Sequence, residues 1–238
     1  FATRVDVMEQ IMRQQIPGLM TLMDYGVIEW PILGKKTLAL IYEKPTGGRL
    51  SNVMDQETSE YEKVEMIQTA IRDMIEALEQ LGARGITHRA VRRENLFFSD
   101  ETREKVLLGD FLSTPPGFDQ PVIYETIENG MADEGSRGGG SAEDDLYALG
   151  IAVALLSQTE PIFESSSTEE IILSKIQNSS FSTVMGKNLI TTKVIELMRG
   201  LLIDNSFERW GINELKTWQN GLPNVPNPAM PAHKAHRP

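Results

Sequence analysis

The sequence predicts a helix-rich α+β fold, and three observations carry that expectation. An apolar stripe at helical spacing opens the chain, two short apolar runs follow it, and the remainder is mostly helical with one small hairpin inside it. Val5, Met8, Ile11 and Met12 form the opening stripe, which Pro17-Gly18 stop. Residues 19–28 and 37–42 fit two strands joined across Gly34-Lys35-Lys36, and Thr46-Gly47-Gly48 then break the pattern. The clearest helix covers 61–81, where Val64, Ile67, Ile71, Met74, Ile75, Leu78 and Leu81 line one face before Gly82 ends it. Leu96-Phe97-Phe98 and Val106–Leu108 flank the polar turn 99–104 as a hairpin. Residues 113–141, rich in Gly and Pro without a sustained period, are expected to form a long loop. Ser141 with Asp144 caps an apolar helix over 142–157, and Ser167-x-x-Glu170 is a capping box for a helix over 168–177. Two further helices fall at 193–203 and 213–218, and the five prolines in the seventeen residues from Leu222 onward predict an extended tail. The chain contains no internal repeat.

Composition narrows the chemistry. The 238 residues suffice for one large domain or two small ones. With no cysteine, a disulfide framework, a thiolate metal site and a cysteine nucleophile are excluded. Of three histidines, His233 and His236 lie in the Pro-rich tail, so His88 alone serves the folded part and a multi-histidine metal site is not expected. Thirty-four acids against 23 bases give a net charge of −11, which argues against a nucleic-acid surface. The longest apolar run, 146–156, is far short of a hydrocarbon core of about 30 Å, so no membrane span and a cytoplasmic location are expected. The segment after Phe1 is no signal peptide, and the start reads as that of an excised fragment.

Where the long helix meets the hairpin stands His88-Arg89-Ala90-Val91-Arg92-Arg93-Glu94-Asn95-Leu96, and fifteen residues past Asn95 comes Gly109-Asp110-Phe111-Leu112. Taken singly, each piece has an ordinary reading. Asp-Phe after an apolar strand is usually a turn, a run such as Arg89, Arg92 and Arg93 is usually a solvated face, and a lone histidine usually sits in a core. Jointly, they resemble the catalytic loop and the metal-binding Asp-Phe-Gly turn of the protein kinases at that family's separation. Further landmarks fall into register. Met131-Ala132-Asp133-Glu134 resembles the Ala-Pro-Glu end of the activation segment, and the run from Asp145 to Gly150 resembles the helix start whose Asp braces the catalytic loop. The run from Asn205 to Trp210 resembles the late motif whose Arg pairs with that Glu, here Glu134 with Arg209. Residues 38–50 resemble the fifth strand and hinge. Six motifs in order outweigh the separate readings.

The resemblance implies a two-lobed kinase-like fold: a partial N-lobe and hinge over 1–50, a mainly helical C-lobe over 51–221 and the tail over 222–238. It also implies phosphoryl transfer, in which an Asp orients the acceptor hydroxyl while an Asn and a second Asp hold metals on the phosphates. The departures fall on those parts. Ala90 stands where the family has the catalytic Asp, and a methyl group takes no proton. Arg92 replaces the loop lysine, and Leu112 replaces the glycine of Asp-Phe-Gly. Asn95 and Asp110 keep the metal-ligand positions. In the hinge, Tyr42 falls at the gatekeeper, Glu43 follows it, and Pro45 replaces a backbone N–H donor to adenine. The sequence opens at the helix that carries the family's conserved Glu, whose place is Val7, with Asp6 and Glu9 nearby. The Gly-rich phosphate loop and strand lysine are not within it.

These losses act on different steps and compound. The resemblance therefore implies a pseudokinase: a catalytically inactive protein-binding or regulatory module with no required cofactor, at most weak Mg-ATP binding, and a protein partner. Glu134, Asp145 and Arg209 are its expected structural braces. Arg89, which receives a phosphate in active relatives, is expected to be solvated or internally paired, with Ser113, Tyr124 and Thr126 as the phosphorylatable alternatives. The competing reading is a divergent Mg-nucleotide-dependent phosphotransferase or nucleotidyltransferase, with Asn95 and Asp110 on the metal and Glu94 or an upstream residue as base. A third is a helical scaffold whose partner binds away from the old cleft, at 113–141 or on the helix 168–177.

Overall fold

The structure is a computed structural model that describes residues 5–32, 34–55, 59–109, 120–158, 163, 166–185 and 191–221. Helix α1 (Val5–Gln14) buries Met8 and Ile11 and packs on the hairpin of β1 (Leu22–Trp30) and β2 (Lys35–Tyr42). The two strands are antiparallel, with Leu22 opposite Tyr42 and Trp30 opposite Lys35. Strand β1 begins three residues later than its apolar run because 18–20 are used elsewhere. Met20 N–H donates to Leu108 O at 2.9 Å and Leu108 N–H to Gly18 O at 2.8 Å, stitching the small lobe to the body.

The body opens with α2 (Leu50–Met54), a short helix without a sequence signal, and α3 (Glu60–Gly82), closed at its start by a Ser59–Glu62 capping box. The hairpin β3 (Leu96–Phe98) and β4 (Val106–Leu108) lies against α3. Asp73, buried on α3, accepts from the Val106 N–H at 2.7 Å and from Arg72 Nε at 2.8 Å. The hinge is sewn to this same hairpin: Thr46 N–H donates to Ser99 O, and Phe98 N–H to Gly48 O. Gly47 permits the approach, since a Cβ there would collide with the Asp100 carbonyl and Phe98 Cβ.

The second half is helical: α4 (Ile127–Met131), α5 (Ala142–Leu156), α6 (Thr168–Asn178), α7 (Ser180–Val184), α8 (Thr192–Leu201) and α9 (Ile212–Gln219). Helix α5 is apolar all round and packs against α3 and α8, which makes it the centre of the core. Boundaries at α3, α5, α6, α8 and α9 lie within about two residues of the sequence expectation, the margin at which helix ends fray. The expected loop over 113–141 is corrected in its described part. Val122–Tyr124 and Glu134–Ser136 are 3-10 turns and Ile127–Met131 is α4. Val122, Ile123 and Tyr124 are buried, and Thr126 caps α4 by accepting from the Asn129 N–H. Pro and Gly thus punctuate short packed turns here. The expected tail lies outside the described residues. Among the described residues no helix is long and apolar enough to cross a membrane.

Candidate functional site

The loop over 88–95 is held by hydrogen bonds to Asp145 and within the loop itself. Buried Asp145, in the first turn of α5, accepts from His88 N–H at 2.6 Å and from Arg89 N–H at 2.8 Å. Both bonds need Arg89 in the left-handed region, at φ +64. His88, fully buried, accepts the Ala90 N–H on Nδ1 at 3.1 Å, so its ring serves the backbone. Asn95, also buried, donates from Nδ2 to Ala90 O at 2.8 Å and closes the loop from the other side. At the centre of this brace sits the buried methyl group of Ala90. Arg92 is half-buried, and its carbonyl accepts from the Asn95 N–H.

Glu94, four residues after Ala90, is engaged. It accepts from Arg93 Nε at 2.8 Å and from the Tyr124 hydroxyl at 3.2 Å. Tyr124 itself is pushed up by burial first and then by the charge of Glu94. Asp110, Phe111, Leu112 and Ser113 lie outside the described residues.

Arg89 is internally paired. Its guanidinium lies 2.8 Å from Glu125 Oε1, with both side chains buried. Burial raises the Glu125 carboxyl above its ordinary value, opposed by the positive charges of Arg89 and Arg137. Desolvation therefore outweighs the attraction in this pair. Gly140, at φ +67, leaves the path for the arginine open: a Cβ there would lie 2.5 Å from Arg89 Cδ.

Glu134 and Arg209 correct the sequence expectation, since they do not pair. Glu134 is exposed on a 3-10 turn. Arg209 donates to Ile203 O at 2.8 Å and Asp204 O at 3.2 Å and lies 5.0 Å from the centre of the Tyr147 ring. A second cation over that ring was missed from sequence. Lys175 of α6, 5.2 Å from the ring centre, is buried and donates to the carbonyls of Val122, Ile123 and Glu125. Burial lowers its amine to about 7, against the favourable charges of Glu125 and Asp204. The only sequence signal was its place four residues after Ile171 on the apolar stripe of α6, where a lysine reads as solvated.

In the hinge, half-buried Tyr42 packs against the core, Glu43 is exposed, and Pro45 is half-buried. The Glu43 N–H donates to Thr21 O and the Thr46 N–H to Ser99 O, so these two hinge donors are already used. Val7 packs half-buried against the core. Glu9 is exposed and pairs with Arg13 one turn on.

In comparison with known proteins, the family model described as "Protein kinase domain" matches residues 4–219. No curated protein matches the chain.

Proposed function

The chain belongs to the protein kinase family, and we propose that within it this chain is a catalytically inactive module that works in the cytoplasm by binding a protein partner. The observation that carries this reading is Ala90, buried at the centre of a loop whose bracing by Asp145, His88 and Asn95 is intact. The methyl group at position 90 takes no proton from an acceptor hydroxyl. The hinge fits adenine poorly: Pro45 has no N–H, and an adenine acceptor left without a donor costs about 1–3 kcal/mol. The residues present therefore do not fit a productively oriented Mg-ATP. Asn95 holds a metal-ligand position, and the bond from its amide nitrogen to Ala90 O leaves Oδ1, the atom a metal would take, outside that bond. A net charge of −11 favours a protein partner over nucleic acid.

Titration calorimetry with ATP and Mg²⁺, on the chain and on Asp110→Ala, tests this. The expected outcome is no saturable heat up to millimolar nucleotide for either. Metal-dependent binding that disappears in Asp110→Ala would overturn the reading in favour of a divergent phosphotransferase or nucleotidyltransferase.

A further inference from the structure

Helix α6 is apolar on two opposed sides. Ile171 and Lys175 are sunk into the body, the lysine tied to three carbonyls of the segment before α4. On the outer side, Leu173 and Ile176 are 52% and 53% exposed, and Ile172 is half-buried between the two faces. A surface helix normally presents polar residues there, and exposed apolar patches rimmed by polar residues mark interaction sites. Across from them Met131, 67% exposed at the end of α4, forms the opposite wall of a groove of about 630 Å³. The anchored underside of α6, with Lys175 tied to the segment before α4, makes this groove preformed, which lowers the ordering cost of binding.

The rim supplies the sign. Asp133, Glu134 and Glu169 are exposed around the groove, with Arg137 as the only cation among its described lining residues, and Arg137 Nη1 already donates to Gln120 O. We infer that this groove docks a basic amphipathic helix of a partner protein, its apolar residues at i, i+3 or i+4, and i+7 against Met131, Leu173 and Ile176, and its Lys or Arg flanks against the acidic rim. A second copy of the chain is a poor occupant, because it brings the same acidic rim and the same net charge of −11. The inference rests on the reading of the chain as a binding module and gives that module its surface.

The test is selection against the intact chain from a displayed library of amphipathic helices about four turns long, half flanked by Lys/Arg and half by Glu. Enriched binders are expected from the basic half. Their affinity should fall about tenfold or more in Leu173→Glu and in Met131→Glu, fall with added salt, and stay unchanged in Phe207→Glu, a substitution at an exposed residue away from the groove. Thermal unfolding of each variant establishes that it folds. No enrichment, enrichment of the acidic half, binders indifferent to Leu173→Glu and Met131→Glu, or a dimer in sedimentation that Leu173→Glu dissolves would each overturn the groove assignment. The calorimetric result with Mg-ATP is independent of these outcomes, so failure of the groove and failure of the inactive-module reading are told apart.

Discussion

At the scale of single residues, the buried charges are the sensitive points. Glu125→Ala leaves the Arg89 guanidinium buried without its partner, and removing one member of a buried pair costs about 3–5 kcal/mol. Urea unfolding should show a loss of that order, far larger than for Glu9→Ala, whose pair with Arg13 is exposed. Lys175 gives a pH signature. Its amine is held at about 7 in the fold against 10.5 ordinarily, so between those values the unfolded chain binds the additional proton. Stability relative to Lys175→Met should therefore rise as pH climbs through that window, and the cost of the charged amine is complete below it. Unfolding curves of both proteins across the window check the sign. The absence of an acid at position 90 was legible in the sequence, because a motif at known spacing names its own gap. The partner of Arg89 was not: Glu125 lies 36 residues away in a stretch without periodicity.

At the scale of elements, sequence patterns located the long helices and both hairpins, since each has a full apolar face or a capping box. The caps read at Ser141 and Ser167 both close in the structure, and a third box, at Ser59, closes α3. Ser141→Ala should cost about 1 kcal/mol in thermal or chemical unfolding, by freeing the Asp144 N–H at the start of the central helix. The joints between elements are dictated by contact. Gly47→Ala should destabilise the chain more than Gly26→Ala, because only Gly47 has the Asp100 carbonyl and Phe98 against it; melting temperatures of the two variants decide this. The short α2, α4 and α7 were missed. Five residues hold too little of a helical period to be recognised, and packing rather than propensity stabilises helices that short.

At the scale of the whole molecule, the proposed inactivity rests on several departures at once, at Ala90, Arg92 and Pro45, so changing one of them should not bring about phosphate transfer. Ala90→Asp is expected to give no detectable phosphate transfer from ATP, with Pro45 and the engaged hinge donors unchanged, as radiolabel incorporation would show. What the sequence by itself determined is local in kind: the order of the longer helices and of both hairpins, and the kinase-like register in which positions 42–45, 90 and 92 stand out. Those follow from period, capping and spacing, which act over a few residues. Only the tertiary structure decided that Arg89 is neutralised by Glu125, that Lys175 is a buried clamp while Arg209 leaves Glu134 unpaired, and that α6 turns a second apolar face outward beside an acidic rim. Each depends on which segments are brought together in a low-dielectric interior or left facing water, and chain order does not encode that environment locally.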